Sequence, residues 1–220
     1  LADAIEFAMA LGRAMKAVDP KLVYVVMPGR PTDYLPRLLP TDVLYACGAP
    51  GMTGAIRMAA RAAFAAGAGL VHAVAPPETV AALIQAEPDV QTFAHPFEQP
   101  PSSQLLELIA KADAVVIGPG LGRDSGRRSF VVGLLEAARA AVLDADGLVA
   151  FAGSVAELEA LGGARPLVLT PHPGEFRTLF PSLASVREMD PWAAARSAAD
   201  MTGATILLKG VPSVIGARGG

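Results

Sequence analysis

The chain has 220 residues, 52% of them hydrophobic and 5% aromatic, with a formal net charge of −3 and a mean hydropathy of +0.42. That length suits one large α/β domain, or a domain with a fragment attached, and the apolar content is ample for a core. The scarcity of aromatic rings argues against a base-stacking nucleic-acid surface, and a pI near 5.6 argues against a broad phosphate-backbone footprint.

Cys47 is the single cysteine, which excludes an intrachain disulfide framework and any cysteine-clustered metal site and leads us to expect a reduced, cytoplasmic setting. No uninterrupted apolar run reaches the roughly 18 residues of a membrane helix. The opening "LADAIEFAMALGRAMKA" has an apolar stripe, but it carries Asp3 and Glu6 and lacks the basic n-region of a signal peptide. It reads as a soluble helix, and a start at leucine rather than methionine reads as trimming or a fragment.

The runs "LVYVVM", "VLYACG", "LVHAVA", "AVVIG", "AAVLD", "LVLT" and "TILLKG" are near-continuously apolar, as expected of parallel strands covered on both faces. Between them lie "TGAIRMAARAAFAA", "PETVAALIQAE", "SSQLLELIAKA", "SGRRSFVVGLLEAARA", "SVAELEAL" and "PWAAARSAADMTG", with helical spacing. Ser102 and Ser125 supply start signals, and Gly67 and Gly203 supply stops. The alternation predicts a three-layer α/β/α sandwich with a mostly parallel sheet and right-handed crossovers.

The special residues collect at strand ends, where open α/β sheets bind ligands. "GAPGMTGA" is a glycine-rich turn into an alanine-rich helix whose free N–H groups can hold a phosphate. It lacks the Gly-Lys-Ser/Thr of a Walker A loop, and it reads equally as a tight turn with Thr53 as N-cap. "GPGLGRD" brings Gly118, Gly120 and Gly122 together, more glycine than a structural turn requires, which points to close approach of backbone and ligand. In "LDADGL", Asp144 ends a strand and can meet a magnesium ion through water or a ribose hydroxyl, while Asp146 reads equally as a helix cap. "TPHPGE" fixes His172 between Pro171 and Pro173, where its imidazole can contact a ligand amide or phosphate. Glu175 either holds Mg²⁺ through water or starts the next helix. "LLKGVPS" places Lys209 within reach of a nucleotide phosphate, against the alternative of a lysine snorkelling from a strand end. His72 and His95 read as ordinary core or surface histidines.

In this order the motifs resemble those of the ADP- or ATP-dependent NAD(P)H-hydrate dehydratases, a ribokinase-like family. The resemblance rests on "GAPGMTGAIRMAARAAFAAGAGLV", "ADAVVIGPGLGRD", "LVLTPHPGEF" and "ILLKGVPSVI", and extends from Val43 to Ile215. It implies repair of the S-form of hydrated NADH or NADPH, with a nucleotide phosphorylating the C6 hydroxyl and the phosphate then leaving. Ala55, Gly122 and His172 are then expected to contact the hydrated dinucleotide, and Lys209, Gly210, Val211, Pro212 and Ser213 the adenine nucleotide. ADP or ATP is the implied cosubstrate, with Mg²⁺ accompanying it, and an epimerase for the hydrate is the implied fused or separate partner.

Two departures stand out. No Gly-x-Gly-Asp occurs in the chain, so the family's phosphate cradle and catalytic aspartate are not among these residues. "LLPTD" also passes directly into "VLYACG", without the His-Lys-Gly segment that usually precedes the first core strand. Residues 1–40 fall outside the resemblance and read as a linker or the remnant of a preceding epimerase domain. Residues 41–220 read as a ribokinase-like dehydratase domain lacking its C-terminal part. The competing readings are a ribokinase-like kinase of vitamin precursors and a non-catalytic nucleotide-binding protein. Neither nucleic acid nor membrane is expected as a partner, and alanine-rich helix surfaces permit a homo-oligomer.

Overall fold

The computed structural model describes residues 42–124 and 126–219. The apolar runs become β1 Asp42–Ala46, β2 Leu70–Ala75, β4 Ala114–Ile117, β5 Ala141–Leu143, β6 Leu167–Leu169 and β7 Thr205–Leu208, joined by β3 Gln91–Ala94 and β8 Val214–Gly216. They form one eight-stranded sheet in the order β3-β2-β1-β4-β5-β6-β7-β8. Every pairing from β3 to β7 is parallel, and β8 returns antiparallel on β7. The chain therefore works outward from β1 in one direction, crosses back, and works outward from β4 in the other. The direction reverses between β1 and β4, the place where such sheets open a crevice for ligands.

The helices are α1 Thr53–Ala65, α2 Pro77–Ala86, α3 Ser103–Lys111, α4 Arg127–Ala137, α5 Ala145–Val149, α6 Val155–Ala164, α7 Pro173–Leu179, α8 Ala184–Met189 and α9 Pro191–Thr202. With the sheet they make the expected α/β/α sandwich. Ser102 caps α3 as its spacing predicts, its hydroxyl accepting from Leu105 N–H at 3.3 Å. Asp190 does the same for α9, accepting from Trp192 and Ala193 N–H at 3.0 Å, and Gly203 closes that helix with φ of 67°. Two expected caps are corrected. Thr53 is the first helical residue of α1, whose N-cap is Met52, and α4 follows a left-handed Gly126 at its N-cap rather than a serine. The "LVYVVM" strand, the opening helix and the reading of residues 1–40 lie outside the described residues.

Alanine lets helix and sheet approach closely. Ala194, Ala195, Ala198 and Ala199 of α9 are fully buried, and a Cβ on Gly216 of β8 would lie 2.5 Å from the Ala195 carbonyl carbon. At least on α9, the alanine face is therefore spent on intramolecular packing. His72 and His95 are core histidines: His72 Nε2 lies 3.1 Å from Asp42 Oδ1, and His95 Nε2 accepts from Ser102 N–H while its ring stacks 5.4 Å from that of Phe130.

Cys47, directly after β1, is fully buried, and burial pushes its thiol pKa up. Its folded pKa thus exceeds the value of about 8.5 in an open chain. The stability it contributes is complete below that pH and is lost as pH rises above it, because only the unfolded thiol ionises. The expected result is no labelling of the folded chain by a thiol reagent. A fall in urea midpoint between about pH 8 and 10 should be smaller in Cys47→Ala.

Candidate functional site

The loops after β1 and β4 are sewn together at the point of reversal. Gly118 N–H donates to Ala46 C=O at 3.1 Å, Gly48 N–H to Pro119 C=O at 3.1 Å, and Ala49 N–H to Gly120 C=O at 2.6 Å. Gly48, Gly118, Gly120 and Gly122 all have positive φ, which is why glycine recurs here and why a generic turn sequence does not suffice. Gly120 packs on the start of α1: a Cβ built there would lie 3.0 Å from Met52 Cβ and 3.1 Å from Ala55 Cβ. The structure thus places Ala55 beside Gly120.

The same stitching continues along the edge. Asp144 N–H donates to Ile117 C=O at 3.0 Å, Thr170 N–H to Leu143 C=O at 3.1 Å, and Lys209 N–H to Pro171 C=O at 2.9 Å. The loops carrying the expected site residues therefore form one hydrogen-bonded rim on the carboxyl side of the sheet. Lys209 Nζ reaches Asp144 Oδ1 at 2.7 Å across β6. Neither member of this pair is a lone ligand group: each holds the other, and together they tie the β7 end to the β5 end.

Asp146 corrects the sequence reading most clearly. It is not a cap, since the N-cap of α5 is Asp144. Its carboxylate instead reaches back to the β4 loop, accepting from Gly122 N–H at 3.0 Å and from Arg123 Nε at 2.8 Å. The hydrogen bond and charge of Asp146, with the field of Glu175 behind them, hold the Arg123 guanidinium above its ordinary pKa. Sequence reasoning missed Arg123 altogether. The signal was its place directly after the third glycine, where a side chain sits at the mouth of the loop.

His172 is the N-cap of α7 and builds a reciprocal cap with Glu175. Its Nδ1 accepts from Gly174 N–H at 2.9 Å and Glu175 N–H at 3.3 Å, while Glu175 Oε2 accepts from His172 N–H at 2.8 Å. Nδ1 is therefore the unprotonated nitrogen, and the ring carries its proton on Nε2, which lies 3.3 Å from Glu175 Oε1. The flanking prolines set the loop, and the cap sets the ring. Glu175 begins a helix, as one of its two readings had it. His172→Ala is expected to lower stability by about 1 kcal/mol through loss of the cap. His172→Asn should keep the cap and the stability while losing any Nε2–H contact, which urea unfolding and ligand titration of the two variants will separate.

At the far end, Ser213 Oγ donates to Gly210 C=O at 3.1 Å and accepts from Gly210 N–H at 3.3 Å, closing a turn whose tip, Val211 and Pro212, is exposed. This turn and the Gly118–Gly122 loop occupy different parts of the same rim. Among the described residues there is no group of three or more His, Cys, Asp or Glu able to hold a metal ion.

A three-layer α/β fold with a parallel sheet closed on one edge by an antiparallel strand is shared with ribokinase-like proteins of known structure. In fold it is similar to a ribokinase-like superfamily protein from Enterococcus faecalis, with 24% identity and a TM-score of 0.65 over 80% of this chain and 60% of that one. It is similar also to the ADP/ATP-dependent NAD(P)H-hydrate dehydratase of Bacillus subtilis co-crystallised with ATP and Mg²⁺, with 21% identity and a TM-score of 0.63 over 80% of this chain and 60% of that one. Residues 43–220 match the NAD(P)H-hydrate dehydratase family, and the chain belongs to it. The bifunctional NAD(P)H-hydrate repair enzyme of Moorella thermoacetica is 40% identical over 181 residues, 79% of this chain and 34% of the relative. That of Gloeobacter violaceus is 36% identical over 230 aligned residues, 98% of this chain and 43% of the relative. The chain thus spans about a third to two fifths of the length of these curated relatives.

Proposed function

We propose that this chain forms the substrate- and nucleotide-facing sheet edge of an NAD(P)H-hydrate dehydratase. In this reading the terminal phosphoryl group of ADP or ATP passes to the C6 oxygen of S-form hydrated NAD(P)H. The C6–O bond then breaks, the oxygen departs in inorganic phosphate, and C5 gives up a proton to water as the C5=C6 double bond of the dihydronicotinamide is restored. Ala55, Gly122 and His172 contact the hydrated dinucleotide, while Lys209 and the Gly210–Ser213 turn receive the nucleotide. Gly118 and Gly120 let backbone approach the dinucleotide closely.

The observation that carries this reading is the single rim. The joined β1 and β4 loops, the capped imidazole of His172 and the Lys209 turn lie along one hydrogen-bonded edge, as a transfer between two ligands requires. Mg²⁺ in this reading comes with the nucleotide. Among the described residues no group of three or more His, Cys, Asp or Glu could cage the ion; Asp144, which Lys209 holds, and Glu175 are the rim carboxylates that would meet it through water. Mg²⁺ supplies neutralisation of the transferring charge. These residues bind and orient; the family's catalytic aspartate is not among them, since the chain contains no Gly-x-Gly-Asp. The bifunctional relatives support an epimerase partner, fused or separate, and a cytoplasmic setting is part of the same reading. Among the described residues no helix is long and apolar enough to cross a membrane.

The test is calorimetric titration of the chain with S-form NADPH hydrate and with ADP. Both are expected to bind, at sites that do not exclude each other. Failure of the hydrate to bind at about 1 mM rejects the reading. A stable phosphate ester accumulating with ATP would instead indicate a small-molecule kinase.

A further inference from the structure

We infer that Arg123 is a phosphate-receiving residue of the hydrated-dinucleotide site and that Asp146 positions it, an inference that rests on the dehydratase reading above. The geometry is a clamp. One carboxylate oxygen of Asp146 takes Gly122 N–H at 3.0 Å and the other takes Arg123 Nε at 2.8 Å. The loop that carries Gly122 and the side chain that follows it are thereby fixed to α5 by a single group. Asp146 is shielded, its side chain 13% exposed, whereas that of Arg123 is 70% exposed. Because the guanidinium is planar and is held from its Nε side, its outer amino groups lie on the opposite side of a rigid fork, the arrangement that matches phosphate oxygens.

Charge gives the second line of argument. A hydrated dinucleotide brings at least a diphosphate to this edge, and a cation beside the backbone N–H groups adds charge-assisted hydrogen bonds to that anion. The β1 loop from Cys47 to Met52 has no lysine or arginine, nor does the stretch from Asp144 to Gly147, nor that from Thr170 to Glu175. Lys209 is paired with Asp144 and belongs to the nucleotide end. Arg127 also comes close to the expected contact Gly122, its Nη2 3.4 Å from a Cβ built there, but it is buried and paired with Glu98 and Asp124, which leaves Arg123 as the exposed guanidinium on the dinucleotide side. An arginine already oriented by a shielded carboxylate loses less freedom on binding a phosphate than a free surface arginine does.

Three forms of the 220-residue chain decide this: unaltered, Arg123→Gln and Asp146→Asn. Each is titrated with S-form NADH hydrate and S-form NADPH hydrate, and amide hydrogen exchange is followed at Gly122. Arg123→Gln is expected to weaken binding by about tenfold to a hundredfold, the range of a lost charge-assisted hydrogen bond, with the melting temperature little changed. An equal loss for both ligands identifies the shared diphosphate as the group held. A loss confined to the NADPH hydrate identifies its 2′-phosphate. Asp146→Asn is expected to speed exchange at Gly122 and to weaken binding, whereas Arg123→Gln leaves that exchange near its original rate. Unchanged affinity in Arg123→Gln overturns the contact and reduces the pair to an exposed ion pair of small consequence. Faster exchange with unchanged affinity in Asp146→Asn overturns the positioning role. If the unaltered chain binds neither hydrate, the dehydratase reading fails and this inference fails with it.

Discussion

Gly118→Ala is expected to lower the stability of the chain by upwards of about 4 kcal/mol, a loss comparable with the whole stability of many domains. A Cβ at this position would stand 1.8 Å from the Asp144 carbonyl oxygen and 2.8 Å from Gly147 N, with φ at 128°. Both obstacles are backbone, so no rotamer change relieves them. Relief requires β4 and β5 to separate where Asp144 N–H bonds to Ile117 C=O. Two neighbours serve as controls. Gly120→Ala meets side-chain atoms at 3.0 Å or more with φ of 64°, and Gly51→Ala meets nothing within 4 Å with φ of 83°. Each should cost about 1–2 kcal/mol, the ordinary price of a left-handed residue. Urea unfolding measures all three. A Gly118→Ala midpoint close to that of Gly51→Ala would show that the β4–β5 approach is looser than described.

The second large effect is expected at Lys209. Lys209→Met leaves Asp144, 13% exposed in its side chain, without its ion-pair partner at the end of β5. The expected cost is about 1–3 kcal/mol of stability, together with a tenfold to hundredfold loss of ADP affinity as a charge-assisted contact to phosphate disappears. The double variant Lys209→Met, Asp144→Asn separates the two. Stability should recover in part, because the uncompensated charge is gone, but ADP affinity should not. Recovery of both would mean that Lys209 serves the fold alone and that the nucleotide is held by the Gly210–Ser213 turn.

Which parts of this were legible beforehand follows from what each signal depends on. The buried strands were plain because a strand covered on both faces has to be apolar along its length, and "VLYA" or "AVVI" reads no other way. β3, "QTFA", was missed because it lies at the sheet edge with Gln91 and Ala94 exposed. β8 was missed because three residues of alternating burial carry too little pattern. The rim was legible as a place, since glycines, acids and His172 all fell at strand ends. What each acid does there was not. Asp144 and Lys209 are 65 positions apart and Asp146 and Arg123 are 23 apart, and such partnerships depend on strand order. His172 was recognised as a fixed imidazole, yet its fixing comes as much from capping α7 as from the prolines beside it.

The strand order also has a bearing on how the molecule is made. From β4 onward, neighbours in the sheet are neighbours in time, each strand leaving the ribosome beside the one completed just before it. The group β1–β3 can pair alone, but it presents the interior strand β1 as an open edge until β4 arrives, and that interval is when a nascent chain is most exposed to wrong pairing. Closure of the interval is the same event that sews Gly118 to Ala46, so the junction of the β1 and β4 loops is completed when the most vulnerable edge is covered. Later strands then accrete on a single front, and the Lys209 turn is the last of these rim elements to arrive. A nascent chain stalled before β7 thus has its β1 and β4 loops already joined and lacks the Gly210–Ser213 turn.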